Sequence, residues 1–121
     1  MGKHHSTLKS FEYAFQGMKT AFTNEPHMKF HGFMAIAALL VGYLLKLDRI
    51  EWLILAFIIF WVISLELLNT VLEALVNLVS PEIQPYAKTA KDVSAAVVLM
   101  AAFLSLIVGA ILFIPKITAF F

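Results

Sequence analysis

The chain has 121 residues, of which 61% are hydrophobic and only 14% charged, with a mean hydropathy of +0.88. That is too apolar for a soluble domain of this size and points to a membrane protein. The net charge of +1 gives no basic field for nucleic acid, and the absence of cysteine excludes disulfides and thiolate metal sites.

In chain order, the stretch STLKSFEYAFQGMKTAFT comes first. Leu8, Phe11, Phe15, Met18 and Phe22 recur at spacings of three and four, with Lys9, Glu12, Gln16 and Lys19 on the other side. This pattern predicts an amphipathic helix over about 6–24, lying in the membrane interface. The first thirty residues carry charges throughout, so no cleavable signal peptide is expected. An uncharged run bounded by Lys29 and Lys46 predicts a first span over about 29–47, short but sufficient with snorkelling lysines. A second span is expected over 51–79 and a third, uncharged from Val93 to Ile114, over 91–115. Pro81 and Pro85 in SPEIQPY both disfavour continuation of the second helix. The whole chain, 1–121, reads as one all-α integral membrane domain.

Basic residues set the orientation. Lys3, Lys9, Lys19, Lys29, Lys88 and Lys91 stand against Lys46, Arg49 and Lys116, which places the N-terminus and the 80–92 loop in the cytoplasm.

The second span carries the unusual residues. Glu66, Asn69, Thr70, Glu73 and Asn77 are spaced to share one helix face, forming a polar stripe on an apolar helix. A charge near mid-membrane costs roughly 2.5–3.5 kcal/mol on insertion scales, so such residues usually serve a function; a seam that glues helices together is the plainer alternative. If hydrocarbon begins near Trp52, Glu66 lies about 21 Å along the helix, inside a core about 30 Å thick, and Glu73 about 10 Å further on, near the cytoplasmic surface. One carboxylate is then at the depth of a lipid head group and the other within reach of water-soluble ligands.

Around this stripe, NEPHMKFH places Asn24 and Glu25 before the first span, and AKTAKDVSAA places Lys88, Lys91 and Asp92 before the third. Carboxylates beside lysines at a cytoplasmic interface suit Mg²⁺ and phosphate together. No Walker-type or kinase glycine loop is present. His27 and His31 have a spacing that can hold zinc on a helix, but with only Glu25 as a nearby third ligand, interfacial packing is the better reading. Small residues on the third span, including Ser94, Ala95 and Ser105, provide faces for close helix approach.

The segments YAFQGMKTAFTNE, ELLNTVLEALVN and AKTAKDVSAAVVL, in this order, resemble the small bacterial integral-membrane diacylglycerol kinase family. FEYAFQGMKTAFTNE and the Phe30-His31 pair are most similar to its undecaprenol kinase subgroup from Gram-positive bacteria. The resemblance implies a homotrimer of three-span subunits in the bacterial plasma membrane, with active sites shared between neighbours and MgATP phosphorylating a lipid alcohol. It implies Glu66 as catalytic base supported by Asn69, Glu25 and Glu73 as metal ligands that also hold nucleotide, and Tyr13, Lys91 and Asp92 as nucleotide contacts. Asn77 stands where the family usually has aspartate, and EIQPYAK replaces a more usual Glu-Tyr-His stretch.

Undecaprenol is the expected acceptor, with Phe11 and Phe15, alongside Phe22, Phe57, Phe60 and Trp61, as apolar walls for its chain and Glu66 at its hydroxyl. Diacylglycerol is the alternative acceptor. Two other classes compete: a small proton-coupled transporter, which would also keep a membrane glutamate, and a non-catalytic assembly subunit.

Overall fold

A computed structural model describes residues 6–121 as four helices: α1 (Thr7–Asn24), α2 (Pro26–Leu44), α3 (Arg49–Val79) and α4 (Pro85–Phe120). Lys3, one of the residues weighed for orientation, lies outside the described residues. Helices α2, α3 and α4 are each long and apolar enough to cross a membrane. At 1.5 Å per residue, the 31 residues of α3 extend about 46 Å and the 36 of α4 about 54 Å, both well beyond a hydrocarbon core of about 30 Å.

Local chemistry sets the boundaries. Ser6 caps α1 by accepting from the Lys9 amide at 3.1 Å. Glu25 separates α1 from α2 in an extended conformation (φ −104°, ψ 114°), the region to which a residue before proline is confined. Pro26 then starts α2, where its missing N–H is of no consequence. This is why α2 begins at Pro26 rather than near 29.

At its other end α2 stops at Leu44 rather than near 47, in a Schellman motif. The Leu47 amide donates to Gly42 O and the Lys46 amide to Tyr43 O, with Lys46 at φ 57°. Gly42 makes this turn possible, because a Cβ there would lie 2.9 Å from Leu47 Cδ1 and 3.2 Å from Trp52 Cη2. Asp48 and Glu51 follow with a reciprocal capping box that opens α3 at Arg49.

Helix α4 extends past its expected limits at both ends. Helix α3 ends at Val79, before Pro81 and Pro85 as expected, and Pro85 then serves as a first-turn residue of α4. Pro115, at the expected limit of the span, is accommodated inside the helix, and the residue after it, Lys116, forms an ion pair at 3.0 Å with the capping-box Glu51.

Helix α3 packs most extensively against α4 and less against α2, while α1 leans mainly on α2. The core is a strip of Leu47, Leu55, Ile58 and Val62 facing Ala101 and Leu112. Phe22, read from sequence as a wall for a lipid chain, instead covers Gly32 of α2, where a Cβ would sit 2.9 Å from its ring. That contact and the Glu25-Pro26 corner together fix α1 against α2.

Lys46 occupies left-handed backbone that normally favours glycine. Lys46→Gly is therefore expected to raise stability by up to about 1 kcal/mol, read as a higher thermal midpoint in detergent micelles. An unchanged or lower midpoint would contradict the Schellman geometry.

Candidate functional site

The polar stripe of α3 does form one connected array. Glu66 is only 3% exposed and is the one buried charged residue among the described residues. The Asn69 side-chain amide donates to both carboxylates, to Glu66 Oε2 at 3.3 Å and to Glu73 Oε1 at 2.9 Å. Its carbonyl oxygen accepts from Ser94 Oγ on α4 at 2.6 Å. The two carboxylates fix which way the amide faces, since an inverted Asn69 would set its oxygen against both, and the Ser94 hydroxyl then donates to the oxygen that remains. Thr70 lies on the same face, but its hydroxyl donates back to Glu66 O at 3.1 Å and is committed to the helix.

On the α2 side, His31 Nε2 lies 3.3 Å from Glu66 Oε1. The approach is close without being an aligned hydrogen bond, and Oε1 accepts none among the described residues. His31 thus meets the carboxylate directly, which its reading as an interfacial packing residue did not anticipate. Its four-residue spacing from His27 drew attention to zinc, yet the described residues bring together no group of three or more potential metal ligands.

Toward the α3–α4 connection, Lys91 Nζ donates to Asn77 Oδ1. An amide oxygen holds an ammonium in place without neutralising it, so Lys91 keeps its charge for an anionic ligand. Asp92 instead pairs with Lys88 at 2.6 Å on the exposed side of α4.

The remaining candidates sit on or beside α1. Glu25 is half-buried at the α1–α2 corner, and its side chain caps neither helix. Tyr13, Phe11 and Phe15 lie on α1, with Phe11 59% and Phe15 65% exposed. Within one chain the structure therefore links Glu66, Asn69 and Glu73 through hydrogen bonds, adds Ser94 and His31, and sets Lys91 further along the α3–α4 face. Among the described residues, no hydrogen bond or ion pair joins Glu25 to that array.

Comparison with known proteins accounts for this arrangement. Residues 12–113 match the profile of prokaryotic diacylglycerol kinase. The chain belongs to the prokaryotic diacylglycerol kinase family. It is 40% identical to an undecaprenol kinase of Bacillus subtilis over 90% of this chain and 89% of that protein. It is also 40% identical to a diacylglycerol kinase of Synechocystis over 89% of this chain and 62% of that longer protein. A diacylglycerol kinase of Escherichia coli is 29% identical over 87% and 86% respectively. The protein is accordingly an enzyme, a lipid kinase, and the transporter and assembly-subunit readings fall away.

Ser94 and His31 were both quoted in the sequence without a role at the site. Ser94 sits at the end of a run of small residues, where a hydroxyl reads as packing; His31 shares no helix with Glu66, so no spacing rule connects them.

Removing the Ser94 hydroxyl is expected to leave the Asn69 oxygen without its donor. Ser94→Ala should lower turnover about tenfold, on the order of 1.4 kcal/mol, and Ser94→Thr should recover most of it, both read as initial rates of phosphoryl transfer. Equal rates for Ser94→Ala and the wild type would mean that Asn69 is oriented by other groups.

Proposed function

We propose that this protein uses MgATP to phosphorylate the hydroxyl of undecaprenol in the bacterial plasma membrane, at a site centred on Glu66. The observation that carries this reading is the buried Glu66 carboxylate, held by Asn69 and continuous with Glu73 on one face of a membrane-length helix. The relative named as an undecaprenol kinase supports the choice of acceptor, and the relatives named as diacylglycerol kinases make diacylglycerol the second reading.

In this scheme Glu66 accepts the proton of the lipid hydroxyl as its oxygen attacks the γ-phosphorus. The bond to the β–γ bridging oxygen breaks, and ADP departs. Asn69 steadies the base by donating to its other oxygen. Such transfer relies on positioning and charge neutralisation more than on covalent catalysis. Lys91, with its charge uncompensated by Asn77, lies against the phosphates; Tyr13 and Asp92 contact the nucleotide.

Glu25 and Glu73 offer hard carboxylate oxygens. Mg²⁺ commonly takes one or two protein carboxylates and completes its shell with phosphate oxygens and water, so this donor set fits the ion without a preformed cage. Glu25 and Glu73 would hold the ion, which would offset the charge of the phosphate oxygens.

The single chain also leaves a great deal of apolar surface exposed on α2, α3 and α4, and leaves Phe11 and Phe15 of α1 exposed. Both features are consistent with a homotrimer in which α1 of one subunit completes the site of its neighbour, with Phe11 and Phe15 against the lipid. In this arrangement α1 lies on the cytoplasmic surface with the N-terminus on that side, as the six-to-three distribution of basic residues favours.

Glu66→Gln keeps size and polarity but removes the proton acceptor. Transfer is expected to fall by roughly 10²–10⁴ while nucleotide binding, measured by equilibrium titration, stays within about twofold. Near wild-type turnover would remove Glu66 from the mechanism.

The acceptor is tested by the ratio of kcat/KM for undecaprenol and diacylglycerol at matched surface concentration in the same mixed micelles. Undecaprenol is expected to be preferred. A ratio favouring diacylglycerol tenfold or more would transfer the assignment to that lipid and leave the kinase chemistry standing.

A further inference from the structure

The end of the bundle remote from Asn77 and Lys91 carries an open cleft of about 440 Å³, lined by Tyr43, Leu44, Lys46 and Trp52. Trp52 is its half-buried member, packed so closely over the Schellman turn that a Cβ on Gly42 would lie 3.2 Å from its ring. Tyr43, Leu44 and Lys46 are exposed.

The polar side chains of this cleft are not used by the fold. Among the described residues no carboxylate pairs with Lys46, nor with Arg49, which stands three residues before Trp52 on the same side of α3. Both nearby acidic residues are committed. Asp48 accepts from the Glu51 amide at 2.9 Å, while Glu51 accepts from the Asp48 amide at 3.0 Å and pairs with Lys116 at 3.0 Å. The Trp52 indole N–H and the Tyr43 hydroxyl likewise have no protein partner among the described residues.

Lys46 is kept here against two costs. Its backbone is left-handed at φ 57°, where glycine is the residue of least strain, and a non-glycine residue held in such backbone is a pointer to function. It also stands against the six-to-three distribution of basic residues that orients the chain, a bias that a neutral residue would sharpen. What an ammonium, a guanidinium and an indole N–H share is the ability to donate to an anion.

We infer that this cleft binds the phosphodiester head group of an anionic glycerophospholipid, in the leaflet at the 42–52 end of the bundle. A head group fits better than free phosphate because of what flanks the cleft: Leu44, Ile50 and Leu53 are 70%, 63% and 63% exposed and offer apolar surface for acyl chains. A free anion has no use for that surface. A head group with its own ammonium would bring a cation beside Lys46 and Arg49 with both carboxylates already engaged. Trp52 lies about 21 Å along α3 from Glu66, so the lipid held here is separate from the phosphoryl acceptor. Ordinary interfacial anchoring by lysine and aromatic side chains is indifferent to head group, and selectivity for an anionic one separates the two cases.

The test uses the full-length protein in detergent, with phosphatidylglycerol or phosphatidylcholine of the same acyl chains added at equal mole fraction. Native mass spectrometry should show more phosphatidylglycerol than phosphatidylcholine retained per subunit. Lys46→Gln should weaken phosphatidylglycerol retention about fivefold, the share of one basic residue at an anionic lipid surface, and Lys46→Arg should preserve it. Lys19→Gln, on α1, should leave it unchanged.

Lys46→Gly separates binding from strain. With the backbone relieved, it should start from a higher thermal midpoint than the wild type in the absence of lipid. It should nevertheless lose the further rise that phosphatidylglycerol gives the wild type, since a ligand raises the midpoint only of a folded state that binds it. Equal retention of the two lipids by the wild type, undiminished retention in Lys46→Gln, an equal fall in Lys19→Gln, or the same midpoint rise from inorganic phosphate would each overturn the assignment.

Discussion

A carboxylate inside an apolar helix must be held, and much of the arrangement around α3 follows from holding Glu66. Left alone at 3% exposure, its charged form would be heavily penalised. Asn69, one turn further along, answers part of that demand through Nδ2, and the same amide reaches Glu73 another turn on. A single side chain thus couples two carboxylates at different depths. Ser94 satisfies the remaining amide oxygen and so ties Asn69 to α4. The position of α4 against α3 is in this way tied to chemistry as well as to the apolar strip of Leu55, Ile58 and Val62 against Ala101.

Helix length carries the second constraint. Since α3 and α4 are both longer than a hydrocarbon core, a bilayer that covers the Glu66 region leaves their Asn77 and Lys91 ends near water. Polar character then grades along α3 from a buried carboxylate, through a half-buried one, to an exposed amide that holds a lysine. A lipid alcohol and a soluble phosphate donor approach from opposite environments, and a stripe of this kind is a compact way to bring them to one place without opening the helix bundle to water.

The sequence made the helices legible because hydropathy and charge are properties of single segments. The stripe was legible too, since 66, 69, 70, 73 and 77 repeat with the helical period. Boundaries were less so. Hydropathy locates apolar stretches, whereas helices continue until capping or proline chemistry stops them, and so α4 runs from Pro85 past Pro115. The partners Ser94 and His31 were not legible as site residues, because their roles depend on interhelical register, to which no residue spacing within one helix has access. Phe22 shows the same limit in reverse: its spacing matched Phe11 and Phe15, but the corner at Glu25-Pro26 turns it onto Gly32. For Glu25, Lys91 and Asp92 the expectation came from the family resemblance, because residues on different helices share no spacing that spacing rules could read.

The two ends of the bundle are built differently, and the difference bears on how a site of this kind works. The end around residues 42–52 is closed by backbone geometry: the Schellman turn over Gly42, the Asp48–Glu51 capping box and the Glu51–Lys116 ion pair lock α2, α3 and α4 to one another. None of those interactions involves a candidate site residue. At the opposite end, the α3–α4 connection around residues 81–84 is exposed, and the side-chain hydrogen bonds between α3 and α4 there join Asn69 with Ser94 and Asn77 with Lys91, residues of the proposed site or next to it. The closed end thus joins the helices through backbone caps and an ion pair, and the opposite end adds interhelical hydrogen bonds, which a polar group entering there could replace partner for partner. An apolar clamp in that position would have to be broken to admit a ligand, whereas a hydrogen-bonded one can be rearranged at smaller cost, because the ligand replaces the partners it displaces.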